Sequence, residues 1–244
     1  MVKKILVVKN ISREGPGLFE TFFSQFDIPF QIVDLEQGDF FPSPASCAAL
    51  VIMGGPDSAN DLTLKMKQAL DRVRECLCLG VPVLGVCLGL QVLVKAAGGR
   101  VLKSPLKEVG FRDPGGKFFE VELTQAGRRD PLFQGIAGPL KVFQLHGETV
   151  ELGESMTLLG SGKFCTNQIV RVGQNAYGMQ AHIELHRALL ENWLKEDPDL
   201  AGLDADLLRA DFDSIEAEYT EVARRFVRNF LEIAGLIGRG VGRM

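Results

Sequence analysis

The stretch Val81-Pro82-Val83-Leu84-Gly85-Val86-Cys87-Leu88-Gly89 runs an apolar, β-branched segment straight into a G-x-C-x-G turn. A helical pattern follows and ends at the pair Gly98-Gly99, a usual helix stop. Strand, tight turn on a cysteine, and helix make a nucleophile elbow with sulfur in place of the usual serine oxygen. Small flanking residues let neighbouring backbone approach the turn. The helix N-terminus aims free N–H groups and partial positive charge at the thiol, which favours the reactive thiolate. Cys87 is therefore the candidate nucleophile, and the Leu88 N–H is a candidate donor to an oxyanion.

Upstream of the elbow, Ile5–Val8, Phe30–Val33 and Leu50–Met53 are short apolar runs without polar alternation, as in strands buried on both faces of a parallel sheet. Between them Leu62, Met66, Ala69, Leu70, Val73 and Leu77 recur at helical spacing. The alternation predicts an α/β fold, a doubly wound, mostly parallel sheet flanked by helices. Downstream, Val101–Leu102, Lys117–Leu123, Lys141–Gln144, Met156–Leu159, Gln168–Val172 and Ala176–Gln180 read as short strands between glycine-rich turns, an antiparallel extension of the sheet. From Glu184 the chain turns helical. Asp213-x-x-Glu216 reads as a capping box, and Ile215, Tyr219, Val222, Phe226, Phe230, Ile233 and Ile237 form a core-facing stripe behind it. The 244 residues are read as one domain with a helical extension from about residue 185, and the tail Gly238–Met244 is expected to fray.

Composition narrows the function classes. The chain is 46% hydrophobic and 24% charged, within the globular range, and its net charge of -4 gives no electrostatic reason for a nucleic-acid partner. No apolar run approaches the length of a membrane span. The run Ile5–Val8 behind Met1-Val2-Lys3-Lys4 is too short for a signal peptide. Five cysteines without scaffold spacing suit reduced thiols and a cytoplasmic setting. Cys76-x-Cys78 lies in a helical pattern and suits neither a zinc hook nor a redox pair. Cys47, Cys76, Cys78 and Cys165 are read as structural, buried thiols, and neither metal nor cofactor is expected.

A cysteine nucleophile needs a base, and only His146, His182 and His186 are available. His182 follows the strand-like run Ala176–Gln180, and Glu184 lies two positions on, where a carboxylate can accept from one ring nitrogen and aim the other at Cys87. His186 falls where the next helix is expected, and His146 suits the wall of a pocket better than the base. Gly54-Gly55-Pro56-Asp57-Ser58 admits two readings: a glycine-rich loop for pyrophosphate, or backbone N–H groups aimed at an oxyanion, with Gly55 as donor and Gly54 permitting the approach.

The chain resembles the class I glutamine amidotransferases over nearly its whole length. Pro82–Gln91 resembles that family's nucleophile segment, Met53–Pro56 its oxyanion strand, Val142–Gly147 its substrate-pocket segment, and Tyr177–Glu184 its histidine–glutamate segment. Cys165-x-Asn167-Gln168 and the helical C-terminus look like free-standing GMP-synthase-like glutaminase domains. The resemblance implies a Cys87–His182–Glu184 triad, an oxyanion hole at Gly55 and Leu88, and substrate contacts at Gly54, Gln91 and His146. It also implies hydrolysis of the glutamine side-chain amide through a γ-glutamyl thioester. The resemblance further implies that the ammonia passes to a separate synthetase partner or is simply released. Two positions depart from the family: Leu90, where histidine or alanine is usual, and Ala181-His182-Ile183-Glu184, where Phe-His-Pro-Glu is common. Leu90 is expected to alter the pocket or the docking of a partner. A γ-glutamyl peptide hydrolase, an inert partner-binding module and a redox-sensing thiol protein are the competing functions.

Overall fold

The computed structural model describes residues 3–238, so most of the tail expected to fray lies outside the described residues. In chain order the elements are β1 (Ile5–Lys9), α1 (Leu18–Gln25), β2 (Phe30–Asp34), β3 (Ala49–Ile52), α2 (Leu64–Leu79), β4 (Val83–Val86) and α3 (Leu88–Ala96). There follow β5 (Arg100–Gly110), β6 (Glu120–Leu123), α4 (Gln125–Arg129), β7 (Leu140–Lys141), β8 (Gln144–Glu151) and β9 (Met156–Gly162). The chain continues through β10 (Ile169–Val172), β11 (Ala176–Met179), α5 (Arg187–Glu196) and α6 (Ala205–Ile233).

Nine strands form one sheet in the order β2-β1-β3-β4-β11-β10-β9-β6-β7. The first five are mutually parallel and the rest add antiparallel. Alternation along the parallel strands decides which helix covers which face. Ile5, Val7, Val51, Leu84 and Val86 pack with α1, α5 and α6, whereas Leu6, Val8, Leu50, Ile52 and Val83 pack with α2 and α3. Helices on both faces of a mostly parallel sheet are the expected α/β architecture.

Several expectations are corrected by this packing. The Phe30–Val33 run is not buried on both faces, because β2 is an edge strand and leaves Gln31 and Ile32 exposed. Leu62 precedes its helix and is exposed, since the Thr63 side chain caps α2 by accepting from Met66 N–H. Val101–Leu102 belongs to a separate two-stranded ribbon, β5 with β8. Ala176–Gln180 is not antiparallel throughout, because β11 runs parallel to β4 and antiparallel to β10. Asp213 is no helix start: α6 begins earlier, capped by Asp204, and Asp213 lies inside it. Cys78 is exposed and Cys47 half-buried, in contrast to buried Cys76, Cys87 and Cys165. No helix among the described residues is long and apolar enough to cross a membrane.

Candidate active site

The parallel strands end on one side of the sheet, where ligands of open α/β sheets bind. Each strand delivers part of a cluster there: β1 leads to Asn10 and Glu14, β3 to Gly54 and Gly55, β4 to Cys87, and β11 to His182. Cys87 takes φ 52° and ψ -107°, a left-handed conformation that a side chain enters at a cost. The surroundings enforce it. Cys87 N–H donates to the Met179 carbonyl at 2.7 Å. A Cβ on Gly85 would collide with the Gly89 backbone, and one on Gly89 with the Ile52 carbonyl, so α3 can start this close to β3 and β4 only with glycine at both places.

The Cys87 thiol is 3.6 Å from the Leu145 carbonyl, to which it can donate, and Gln180 Nε2 donates to Sγ at 3.6 Å. His182 is fully buried, and its Nδ1–H donates to Glu184 Oε1 at 2.6 Å. Glu184 is held in turn, because its Oε2 accepts from Ile183 N–H at 2.9 Å. The other ring nitrogen, Nε2, makes no hydrogen bond of normal geometry among the described residues, and Cys87 is the side chain that acts on this ring beside Glu184. Burial disfavours the His182 imidazolium, yet the Glu184 carboxylate and the adjacent Cys87 together hold its pKa well above the usual 6.5. Gly54 fits between them: a Cβ there would lie 3.3 Å from His182 Cε1 and 3.4 Å from Cys87 Cβ, and would strike Glu14 Oε2.

The C-terminal helices hold His182 in place. Tyr219 of α6 donates its hydroxyl to the His182 carbonyl at 2.9 Å, and Trp193 of α5 meets the imidazole edge-to-face at 5.0 Å. The backbone of His182 also pairs with Phe143 in both directions. A cleft of about 490 Å³ opens above the thiol, lined by Gly55, Cys87, Gln91, His146 and Glu148 among others. Leu88 opens α3, so its N–H has no intrahelical carbonyl to bind.

The sequence-derived candidates therefore converge: Cys87, His182, Glu184, Gly54, Gly55, Leu88, Gln91 and His146 lie in or against one site. Gln91 is buried and donates to Gln180 Oε1 at 3.3 Å. His186 is not within the helix but caps it, accepting from Leu189 N–H. Leu90 corrects an expectation. Its side chain is fully buried in the core on the other face, against Gly178, so it neither lines the cleft nor offers a docking surface. In the glycine-rich loop, Asp57 pairs with Lys65 and the Ser58 hydroxyl donates to Glu148.

Sequence reasoning missed Glu14, Gln180 and the hydroxyl of Tyr219. Glu14 is buried, and that burial raises its pKa from 4.5 to about 7, although His182 and Arg13 pull it down. Its only signal was position, just beyond the carboxyl end of β1.

Comparison with known proteins places these observations in a family. The family model described as Glutamine amidotransferase class-I matches residues 24–193. The glutamine-hydrolysing GMP synthase of Thermosipho melanesiensis is 31% identical over 197 residues, covering 78% of this chain and 34% of that protein. A separate subunit of the glutamine-hydrolysing GMP synthase of Halobacterium salinarum is 30% identical over 169 residues, covering 66% of this chain and 82% of its own. The crystal structure of a glutamine amido transferase from Methylobacillus flagellatus superposes with a TM-score of 0.84 at 27% identity, covering 96% of both chains. The chain spans about half or less of the length of several other curated relatives it matches. With the family segment running from α1 through β11 into α5, the chain belongs to the class-I glutamine amidotransferase family.

Proposed function

We propose that the protein hydrolyses the side-chain amide of glutamine, with Cys87 as nucleophile, His182 as acid–base and Glu184 as its orienting carboxylate. One observation carries this reading: a buried imidazole with Nδ1 engaged by Glu184 and Nε2 without a hydrogen bond among the described residues, beside a strained cysteine. His182 Nε2 takes the thiol proton as sulfur attacks the amide carbon. The Gly55 and Leu88 N–H groups hold the tetrahedral oxyanion, each such donor contributing about 3 kcal/mol. Return of the proton from His182 expels ammonia and leaves a γ-glutamyl thioester. His182 then activates water, which releases glutamate and restores the thiol.

The fate of the ammonia forms part of the proposal. A relative that is itself a separate GMP synthase subunit supports transfer to a separate synthetase. Cytoplasmic action fits the free cysteines.

The test is release of ammonia and glutamate from glutamine, with γ-glutamyl peptides as competing substrates, with and without candidate synthetases. Cys87→Ser and His182→Ala should each lower the rate at least about a thousandfold, and combining them should add little. Wild-type activity in either variant would remove the mechanism. Preference for γ-glutamyl peptides would replace the substrate, and absence of labelling at Cys87 by a glutamine-like electrophile would leave an inert module.

A further inference from the structure

Behind the cleft wall, three buried side chains from separate segments converge: Glu108 at the end of β5, His146 in β8, and Cys165 in the turn between β9 and β10. One ligand-type atom from each lies within 4.8 Å of the others. The hydrogen bonds determine what His146 presents. Its Nδ1 is 2.9 Å from the Glu148 carbonyl, and a carbonyl only accepts, so Nδ1 carries a proton. Nε2 is 2.9 Å from Glu108 Oε2 but out of line for a hydrogen bond, and it has no other partner among the described residues. A lone pair and a carboxylate oxygen thus meet in a site almost closed to water, each side chain being 1% exposed. The nearby Gln168 donates its amide to Glu108 at 3.3 Å, and its own buried carbonyl oxygen lacks a donor. Such a contact closes either through a proton or through a metal ion, and the Cys165 sulfur within 4.8 Å supplies the third donor that only a metal uses.

We propose that Glu108, His146 and Cys165 bind a divalent transition-metal ion of the zinc class. Nitrogen, sulfur and carboxylate oxygen are the donor set that zinc takes in sites with three protein ligands, the fourth position going to water. The Glu148 carbonyl on Nδ1 supplies the outer-shell contact that orients a ligating histidine. Carboxylate and thiolate balance the two charges of the ion, so the Cys165 proton leaves as the ion binds. The ion ties the β5–β8 ribbon to the β9–β10 turn and so stiffens the wall from which the Leu145 carbonyl faces the thiol. This departs from the sequence-based expectation of no metal and does not depend on the proposed glutaminase chemistry.

The experiment uses the full chain carrying Cys87→Ser, so that the active-site thiol cannot ligate, stripped with a chelator and titrated with Co²⁺ and then Zn²⁺. A single saturable equivalent per chain is expected. Co²⁺ should give intense tetrahedral ligand-field bands with a thiolate charge-transfer band, both lost on Zn²⁺ addition, and Zn²⁺ should raise the unfolding temperature. Adding Cys165→Ser should abolish the charge-transfer band and weaken binding at least about a hundredfold. Glu108→Gln, which keeps shape and hydrogen bonding, should weaken it as well. No saturable binding, or binding untouched by either substitution, would overturn the proposal and leave a buried His146–Glu108 pair.

Discussion

Glu14 sits 4% exposed against Gly54 and within the field of His182, and burial raises its pKa to about 7. Between pH 4.5 and about 7 the unfolded chain therefore ionises this carboxyl while the folded protein keeps its proton. The folded state then binds more protons than the unfolded one, so stability falls as pH rises through that window. At about 1.4 kcal/mol for each tenfold change in proton affinity, the loss is on the order of 3 kcal/mol. Glu14→Gln cannot ionise, so its stability relative to wild type should grow by about that amount from pH 4.5 to neutrality. Urea unfolding of both proteins across the range measures it, and a difference that stays constant with pH would contradict the assignment. Nothing local to Arg13-Glu14-Gly15 marks the carboxyl as buried. Only the docking of that loop, with Gly17 packed on the Glu184 backbone, turns the carboxyl inward.

At the scale of elements, the elbow and the final helix behave differently under substitution. Gly89→Ala drives a methyl group into the Ile52 carbonyl and must push α3 off β3, taking Cys87 with it. Loss of several kcal/mol, about 3 or more, and of nearly all activity is expected, read by urea unfolding and ammonia release. For α6, Asp204 accepts from the Asp206 and Leu207 N–H groups, so Asp204→Ala should cost about 1 kcal/mol. Asp213 is exposed within the helix and pairs with Arg187, so Asp213→Ala should stay within about 0.5 kcal/mol. Reversal of that order would restore Asp213 as the helix start. The capping-box pattern misled because an acidic residue three before a glutamate is also common on a solvated helix face.

Across the whole molecule, the family segment ends at residue 193, yet α6 beyond it holds His182 in place. Phe212, Ile215, Tyr219, Phe226 and Phe230 are buried in the same core as the strands, and Phe226 lies against both Phe19 and Phe133. A chain ended at Leu203 exposes that entire apolar face. It should lose cooperative unfolding and glutaminase activity together, whereas Tyr219→Phe, which removes one hydroxyl from a carbonyl already bound by Phe143, should cost only about 1 kcal/mol. A truncated chain with native near-ultraviolet circular dichroism and full activity would refute the dependence. The helical stripe was legible as core-facing, but not that one of its residues reaches the carbonyl of the catalytic candidate.

Local sequence determined what depends on neighbours along the chain. The apolar runs specified the parallel strands, glycine on both sides of Cys87 specified the elbow, and the two-residue spacing of His182 and Glu184 specified their contact. These are matters of backbone conformation and side-chain period, which a short segment carries in itself. Tertiary structure decided what depends on which segments meet. It made β2 an edge, turned Leu90 into the far core, closed β5 and β8 into a ribbon, buried Glu14 against Gly54, and gathered Glu108, His146 and Cys165 from separate segments. Burial and desolvation set those outcomes, and both are properties of the packed assembly, not of any stretch of residues.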